Sequence, residues 1–202
     1  MSQIIFSETF DKPILDPRLH WYCPPTRWSV SRSCLMLEPD AKTDYWQKTH
    51  YGFQVDNGHF LYLEMEGNFT VSTKVSFFPA NQYDQAGLMV RFSPEYWIKT
   101  SVEYEPHEPN RLGSVVTNHG YSDWATQDFP KDQNELEFRI QRQGDDYILS
   151  HRQPGDKKPW GQMRIAHLHN PAGGPIQCGL YACSPIGVGF RAAFDYLKVT
   201  QE

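Results

Sequence analysis

Three carboxylates stand close together near the middle of the chain, at Glu103, Glu105 and Glu108. Alternate residues of a strand share a face, and two carboxyl groups about 5 Å apart can serve as nucleophile and general acid in glycoside hydrolysis. Pro106 and His107 interrupt the run before Glu108 can align, which favours a charged hairpin turn over a catalytic strand. Glu103 has a stronger claim by itself. In the alternating segment 96–104 (YWIKTSVEY), parity places Ile98, Thr100, Val102 and Tyr104 on one face and Trp97, Lys99, Ser101 and Glu103 on the other. The first set reads as core. The second joins an indole, an ammonium and a carboxylate, a combination too costly to bury without partners and suited to a groove. Segment 87–92 adds Arg91 to that mixed face by the same rule.

Other residues are candidates for the same groove. Trp46, Trp97 and Trp124 offer rigid surfaces for stacking on a sugar ring or another flat ligand. His50 follows Trp46 by four residues, so a straight strand would set both on one face. In Tyr121-Ser122-Asp123-Trp124, alternation groups Ser122 with Trp124 and Asp123 with Ala125, and only one pair can face a ligand. Asp84 enters the strand at 87–92 either as a turn-holding carboxylate or at the groove rim. A hydrolase would use Glu103 with Asp123 or Asp84. His167 and His169 have the spacing of two metal ligands on one strand face, but no third ligand is in view and no metal is expected. No cofactor is expected either. The sequence contains no serine nucleophile elbow, phosphate loop or dinucleotide fingerprint.

The elements that must position these residues are strands. Alternation recurs at 59–65, 69–77, 96–104 and 135–142, and further strands are expected at 28–31, 34–38, 87–92, 111–117, 146–152, 163–168, 176–183 and 189–199. Turn chemistry falls between them at Asn57-Gly58, Gly67-Asn68, Gly144-Asp145, Pro154-Gly155-Asp156 and Gly173-Gly174. Only 16–21 offers a short helical turn. The 202 residues include 12 Phe, 11 Tyr and 6 Trp, a composition suited to a β protein. Surface scaling for this length gives roughly 9,800 Å² exposed, enough burial for one core, and residues 1–202 are read as one domain.

A net charge of −5 without clustered Lys and Arg excludes nucleic acid as a partner. No apolar run approaches the length of a membrane span, and the N-terminus lacks a signal sequence, so a cytoplasmic location is expected with no membrane partner. The four cysteines, Cys23, Cys34, Cys178 and Cys183, are expected as free thiols; five residues of strand put Cys178 and Cys183 on opposite faces.

The order YDQAGLMVRF, WIK, VEY, SVVT and YSDW over 83–124, with DYWQKTHYGF at 44–53 and Asn57-Gly58-His59, resembles the domain family of the yeast regulation-of-enolase protein, within the concanavalin A-like lectin and glucanase superfamily. The closing GLYACS at 179–184 and GFRAAFD at 189–195 are similar to the last strands of such jelly rolls. The resemblance implies an all-β, two-sheet antiparallel jelly-roll sandwich whose concave face is where relatives bind or cut polysaccharides. Many relatives carry Glu-x-Asp-x-x-Glu; here Glu105 replaces the Asp. The expected partner is a carbohydrate or small polar ligand bound without catalysis, by Trp46, His50, Asp84, Arg91, Trp97, Lys99, Glu103, Ser122 and Trp124. The alternatives are the hydrolase and a protein-interaction module acting on a metabolic enzyme.

Overall fold

The computed structural model describes residues 3–201, and among them there are seventeen strands and no helix. The strands are β1 (Gln3–Glu8), β2 (His20–Tyr22), β3 (Arg27–Ser31), β4 (Cys34–Glu38), β5 (Tyr45–Gln47) and β6 (Gln54–Asp56). They continue with β7 (His59–Met65), β8 (Phe69–Phe78), β9 (Gln85–Ser93), β10 (Tyr96–Glu103), β11 (Asn110–Asn118) and β12 (Tyr121–Phe129). The last five are β13 (Glu135–Gln143), β14 (Asp146–Arg152), β15 (Gly161–His167), β16 (Ile176–Cys183) and β17 (Arg191–Gln201).

Two antiparallel sheets form a sandwich. One runs β15-β14-β13-β8-β17-β4-β3, with β1 also pairing β17; the other runs β12-β11-β10-β9-β16-β7-β2. Period-two sequence explains the first sheet. In β8, Phe69, Val71, Thr73, Val75 and Phe77 are buried while the residues between them are not, so one face meets the core and the other meets water. The inward faces of both sheets supply one apolar core, with Val71, Phe138 and Leu197 from the first sheet and Leu88, Ile98, Val102 and Leu180 from the second. The described residues expose 9751 Å², in line with the surface-scaling expectation.

The central strands of the second sheet depart from that pattern because they are buried on both faces. Their outer face carries a separate aromatic cluster that includes Tyr45, Phe60, Met89, Trp97 and Tyr181. The cause is a small hairpin. Strands β5 and β6 pair only with each other as a third, two-stranded sheet, and β5 contributes Tyr45 and Trp46 to the outer-face cluster. The hairpin roofs part of the face that alternation leaves open.

Local chemistry fixes the roof. Tyr45 donates its hydroxyl proton to the Gly58 carbonyl at 2.6 Å, and a Cβ at Gly58 would stand 2.3 Å from the Tyr45 ring and 2.5 Å from Cys183 Sγ. Asn57-Gly58 was expected as a turn; Gly58 is instead required by close approach, since its φ is not in the left-handed region. Gly67, Gly144, Gly155 and Gly173 do adopt positive φ at the expected reversals. In place of the helical turn expected over 16–21, residues 16–19 form a turn closed by Leu19 N–H on the Asp16 carbonyl and capped by Asp16, and His20 and Trp21 begin β2. All four cysteines are free, with Cys178 in the core between the sheets and Cys183 in the outer-face cluster.

Candidate functional site

Beside the hairpin the outer face stays open as a cleft of about 280 Å³. Its floor comes from β9, β10 and β11 through Gln85, Lys99, Glu103 and Val115, and its walls from Asp44, Trp46, Tyr51, Phe53, Tyr83 and Trp124. Register explains the floor: Glu103 pairs with Gln85 and Lys99 with Val115 across neighbouring strands. Directly opposed residues of adjacent strands project to the same face.

The aromatic rim is built on unusual backbone. Lys48 and His50 have φ of 56° and 61°, Gly52 has 74°, and Tyr83 has 70°. Left-handed geometry at a residue with a Cβ costs about 1 kcal/mol or more, so the surroundings must hold it. Lys48 N–H donates to the Phe53 carbonyl and Gly52 N–H to the Lys48 carbonyl, which closes a tight loop and raises Tyr51 and Phe53 as a stacked pair with ring centroids 5.9 Å apart. Trp46 anchors the loop from below through Nε1–H to the Thr49 carbonyl at 3.0 Å. Tyr51, Phe53, Tyr83 and Trp124 keep between 37% and 55% of their surface exposed, whereas Trp46 keeps 8%.

Tyr83 is held from the next residue. Asp84 Oδ2 accepts the Ala80 and Asn81 backbone amides at 2.8 and 2.7 Å, and Ser184 Oγ donates to Oδ1. Asp84 is therefore a buried turn-holding carboxylate and not a rim ligand. Burial pushes its carboxyl above the ordinary value, against the pull of these donors. Asp84→Ala is expected to cost about 2–3 kcal/mol, because two amides and a hydroxyl lose a charged partner. Urea denaturation checks this, and a loss below about 0.5 kcal/mol would show that the turn stands without it.

The polar floor is a short network. Lys99 Nζ donates to the Tyr45 carbonyl at 2.9 Å and to Asp44 Oδ1 at 3.2 Å. Gln85 Nε2 donates to Glu103 Oε2 at 3.0 Å, and its Oε1 accepts the Tyr181 hydroxyl at 3.2 Å. Glu103 is pushed up to about 8: burial raises it, Lys99 opposes, and Asp44 and Glu105 reinforce the rise. At neutral pH this carboxyl is mainly uncharged, able both to donate and to accept a hydrogen bond.

Strand parity places Trp97, Lys99 and Glu103 on one face and Ile98 and Val102 in the core, as expected. Tyr104 lies past the end of β10 and is only half-buried. Accessibility differs from expectation wherever the hairpin intervenes. Trp97 is fully buried, with Nε1–H on the Pro94 carbonyl and its ring tilted on Tyr45, so it cannot be a stacking platform. Arg91 is buried under the same roof, donating to Asp56 at 2.8 Å with its guanidinium 4.4 Å from the Tyr22 ring centroid. Ser122, 1% exposed, accepts Gln47 N–H at 2.9 Å and pairs with Thr117, fastening β5 to β12. His50 lies in the loop beyond β5, exposed and outside the cleft lining, because the straight strand that would pair it with Trp46 ends at Gln47.

Asp123 alternates to the opposite face from Trp124 and binds Arg164 of β15 at 2.8 Å. Neither Asp123 nor Asp84 lines the cleft with Glu103. Beyond Glu103 the expected carboxylate trio disperses into a loop, where Glu105 accepts Gln82 Nε2 at 2.8 Å and Glu108 binds Arg111. His167 Nδ1–H donates to Asp146 Oδ1 at 2.9 Å, and His169 packs beside it. Among the described residues no group of three or more His, Cys, Asp or Glu is arranged to hold a metal ion. Asp44, Tyr51, Phe53, Tyr83 and Gln85 are cleft residues that strand parity did not single out. For Asp44, Tyr51 and Phe53 the available signal was the aromatic run at 44–53, which supplies most of the wall.

Comparison with known proteins fits this architecture. The chain is 35% identical over 180 residues to Regulation of enolase protein 1 of Saccharomyces cerevisiae, covering 89% of this chain and 88% of that protein. A crystal structure of a functionally unknown protein from Saccharomyces cerevisiae matches with a TM-score of 0.83 at 31% identity, covering 92% of this chain and 97% of the other. A GH43 protein of Bacillus licheniformis matches with a TM-score of 0.78 at 16% identity, over 97% of this chain but 39% of its own. A xylan β-1,4-xylosidase from Bacillus halodurans gives the same score and identity over 96% of this chain and 39% of its own. At that identity the likeness concerns fold alone, the concanavalin A-like jelly-roll sandwich. The family model for proteins of unknown function designated DUF1349 matches residues 21–202, and with the 35% identical relative aligned over 89% of this chain, the chain belongs to that family.

Proposed function

We propose that the chain binds a carbohydrate or another small polyhydroxylated ligand in the outer-face cleft, without catalysis. The supporting observation is the open indole of Trp124, facing a cleft that also exposes Tyr51, Phe53 and Tyr83 above the Gln85 and Glu103 hydrogen-bonding groups. Sugar rings present apolar C–H faces to aromatic rings and hydroxyl edges to amides and carboxyls, and this cleft offers both kinds of surface. The carboxylate that shares the cleft with Glu103 is Asp44, which is bound to Lys99 and to the Tyr45 amide, an arrangement suited to holding the floor in place. No helix of the described residues is long and apolar enough to cross a membrane.

The test is a glycan array followed by titration of the best oligosaccharide. Trp124→Ala is expected to weaken binding about tenfold, equivalent to one lost aromatic contact, while the melting temperature stays within about 3 °C. An unchanged affinity for Trp124→Ala would remove this cleft as the site. The name of the Saccharomyces cerevisiae relative favours a second reading, an interaction module acting on a metabolic enzyme. Binding of purified enolase that survives Trp124→Ala, with no glycan bound, would select it.

A further inference from the structure

The acidic and basic groups around the cleft are unequal in number. Asp44 from the hairpin, Glu103 from β10 and Glu105 from the following loop supply three carboxyl groups, against one ammonium, Lys99. Lys99 is already engaged by Asp44 and the Tyr45 carbonyl and is 4% exposed. Arg111, opposite Glu103 across β10 and β11, is claimed by Glu108 and Asp128. The remaining floor group, Gln85, and the wall from β12, Trp124, are uncharged. Glu103 therefore has no cation of its own.

Five aromatic rings line the cleft that holds this unmatched carboxyl, and the negative faces of such rings attract cations. We infer that the ligand of this cleft is hydroxyl-rich and positively charged, an amino sugar or similar ammonium-bearing polyol, with its ammonium against Glu103 and its ring on the aromatic wall. This rests on the reading of the cleft as a site for polyhydroxylated ligands and narrows it to one charge class. A neutral sugar would use the rings and leave Glu103 unmatched. An acidic or phosphorylated sugar would set its charge among three carboxyl groups and be rejected. The raised Glu103 carboxyl agrees with a group awaiting a cation: when the ammonium arrives, the Glu103 O–H bond breaks, its proton passes to buffer, and an ion pair forms.

Three probes separate the outcomes: methyl glucoside, its 6-amino-6-deoxy derivative and methyl glucuronide, one ring carrying a neutral, cationic or anionic group. Affinities are measured by tryptophan fluorescence and checked by NMR at pH 6 and 8. The amino derivative is expected to bind about tenfold tighter than the neutral glucoside, and the glucuronide weaker than both. Its advantage is expected to grow between pH 6 and 8 as Glu103 ionises more readily. Glu103→Gln, shown to be folded by circular dichroism, is expected to erase the preference, so that the amino and neutral rings bind the variant equally. Equal binding of the neutral and amino rings, or tighter binding of the glucuronide, would overturn the charge assignment and leave the polyhydroxylated-ligand reading standing. Failure of all three rings to bind, with no hit on the glycan array, would overturn both.

Discussion

Replacing Trp97 with Ala is expected to destabilise the protein by about 3–5 kcal/mol, the usual cost of deleting a large buried aromatic side chain. The indole is fully buried. It packs against Tyr45 at a centroid distance of 5.9 Å, and the Lys99 ammonium lies 5.8 Å from its ring. Deletion would therefore leave a cavity beneath the hairpin and loosen the roof that holds Asp44 and Trp46. For a chain of 202 residues that loss corresponds to a fall of roughly 10 °C in melting temperature. Trp124→Ala, at 39% exposure, is expected to change stability by less than about 1 kcal/mol. Thermal denaturation of the pair checks the division of labour. A Trp97→Ala protein melting within about 2 °C of wild type would mean that the roof is dispensable.

The same contrast explains how much of the site was legible in the sequence. Parity over 96–104 assigns each side chain to its face because a strand has only two, and burial of Ile98 and Val102 in the main core fixes the register. What parity lacks is knowledge of what lies over a face. Lys99 and Arg91 read as solvent-facing because an unpaired buried charge is costly. Their partners, Asp44 and Asp56, lie 55 and 35 residues away in a hairpin of two three-residue strands. Such strands are too short for alternation to register, so DYWQKTHYGF shows its aromatic content but not its place. Ser122 was equally opaque, since its role depends on Gln47, 75 positions distant. Strand 121–129 was likewise not expected as a full strand, because most of its residues are exposed and its apolar periodicity is weak. Trp124 and Glu103 were legible because the one lies beyond the roof and the other at its margin.

Glu103 leads to the second large effect, a dependence of stability on pH that one substitution should remove. In the folded protein its carboxyl rises from 4.5 to about 8. Between those values the folded state holds a proton that the unfolded state has released, so stability from this group is complete below pH 4.5 and is lost as pH rises through 8. The upper bound is about 5 kcal/mol at about 1.4 kcal/mol per pH step; the side chain is only half-buried at the cleft floor, and about 2 kcal/mol is the expected size after solvent screening. An opposing slope comes from His59. It is 3% exposed, lies 2.6 Å from the Cys23 carbonyl through Nδ1 and accepts the Asp40 amide at Nε2. Burial lowers its tendency to take a proton, so below about pH 6.5 the unfolded state gains a proton that the folded state resists, and stability falls as pH falls. Raw wild-type curves mix the two effects, but the difference between wild type and Glu103→Gln isolates the carboxyl. Glutamine preserves an acceptor for the Gln85 amide and carries no charge at any pH. Urea denaturation at pH 5, 7 and 9 is expected to give nearly equal stabilities at pH 5 and a Glu103→Gln protein about 2 kcal/mol more stable than wild type at pH 9. A difference that stays flat across this range would mean that Glu103 is ionised throughout, with Lys99 outweighing burial at the cleft floor.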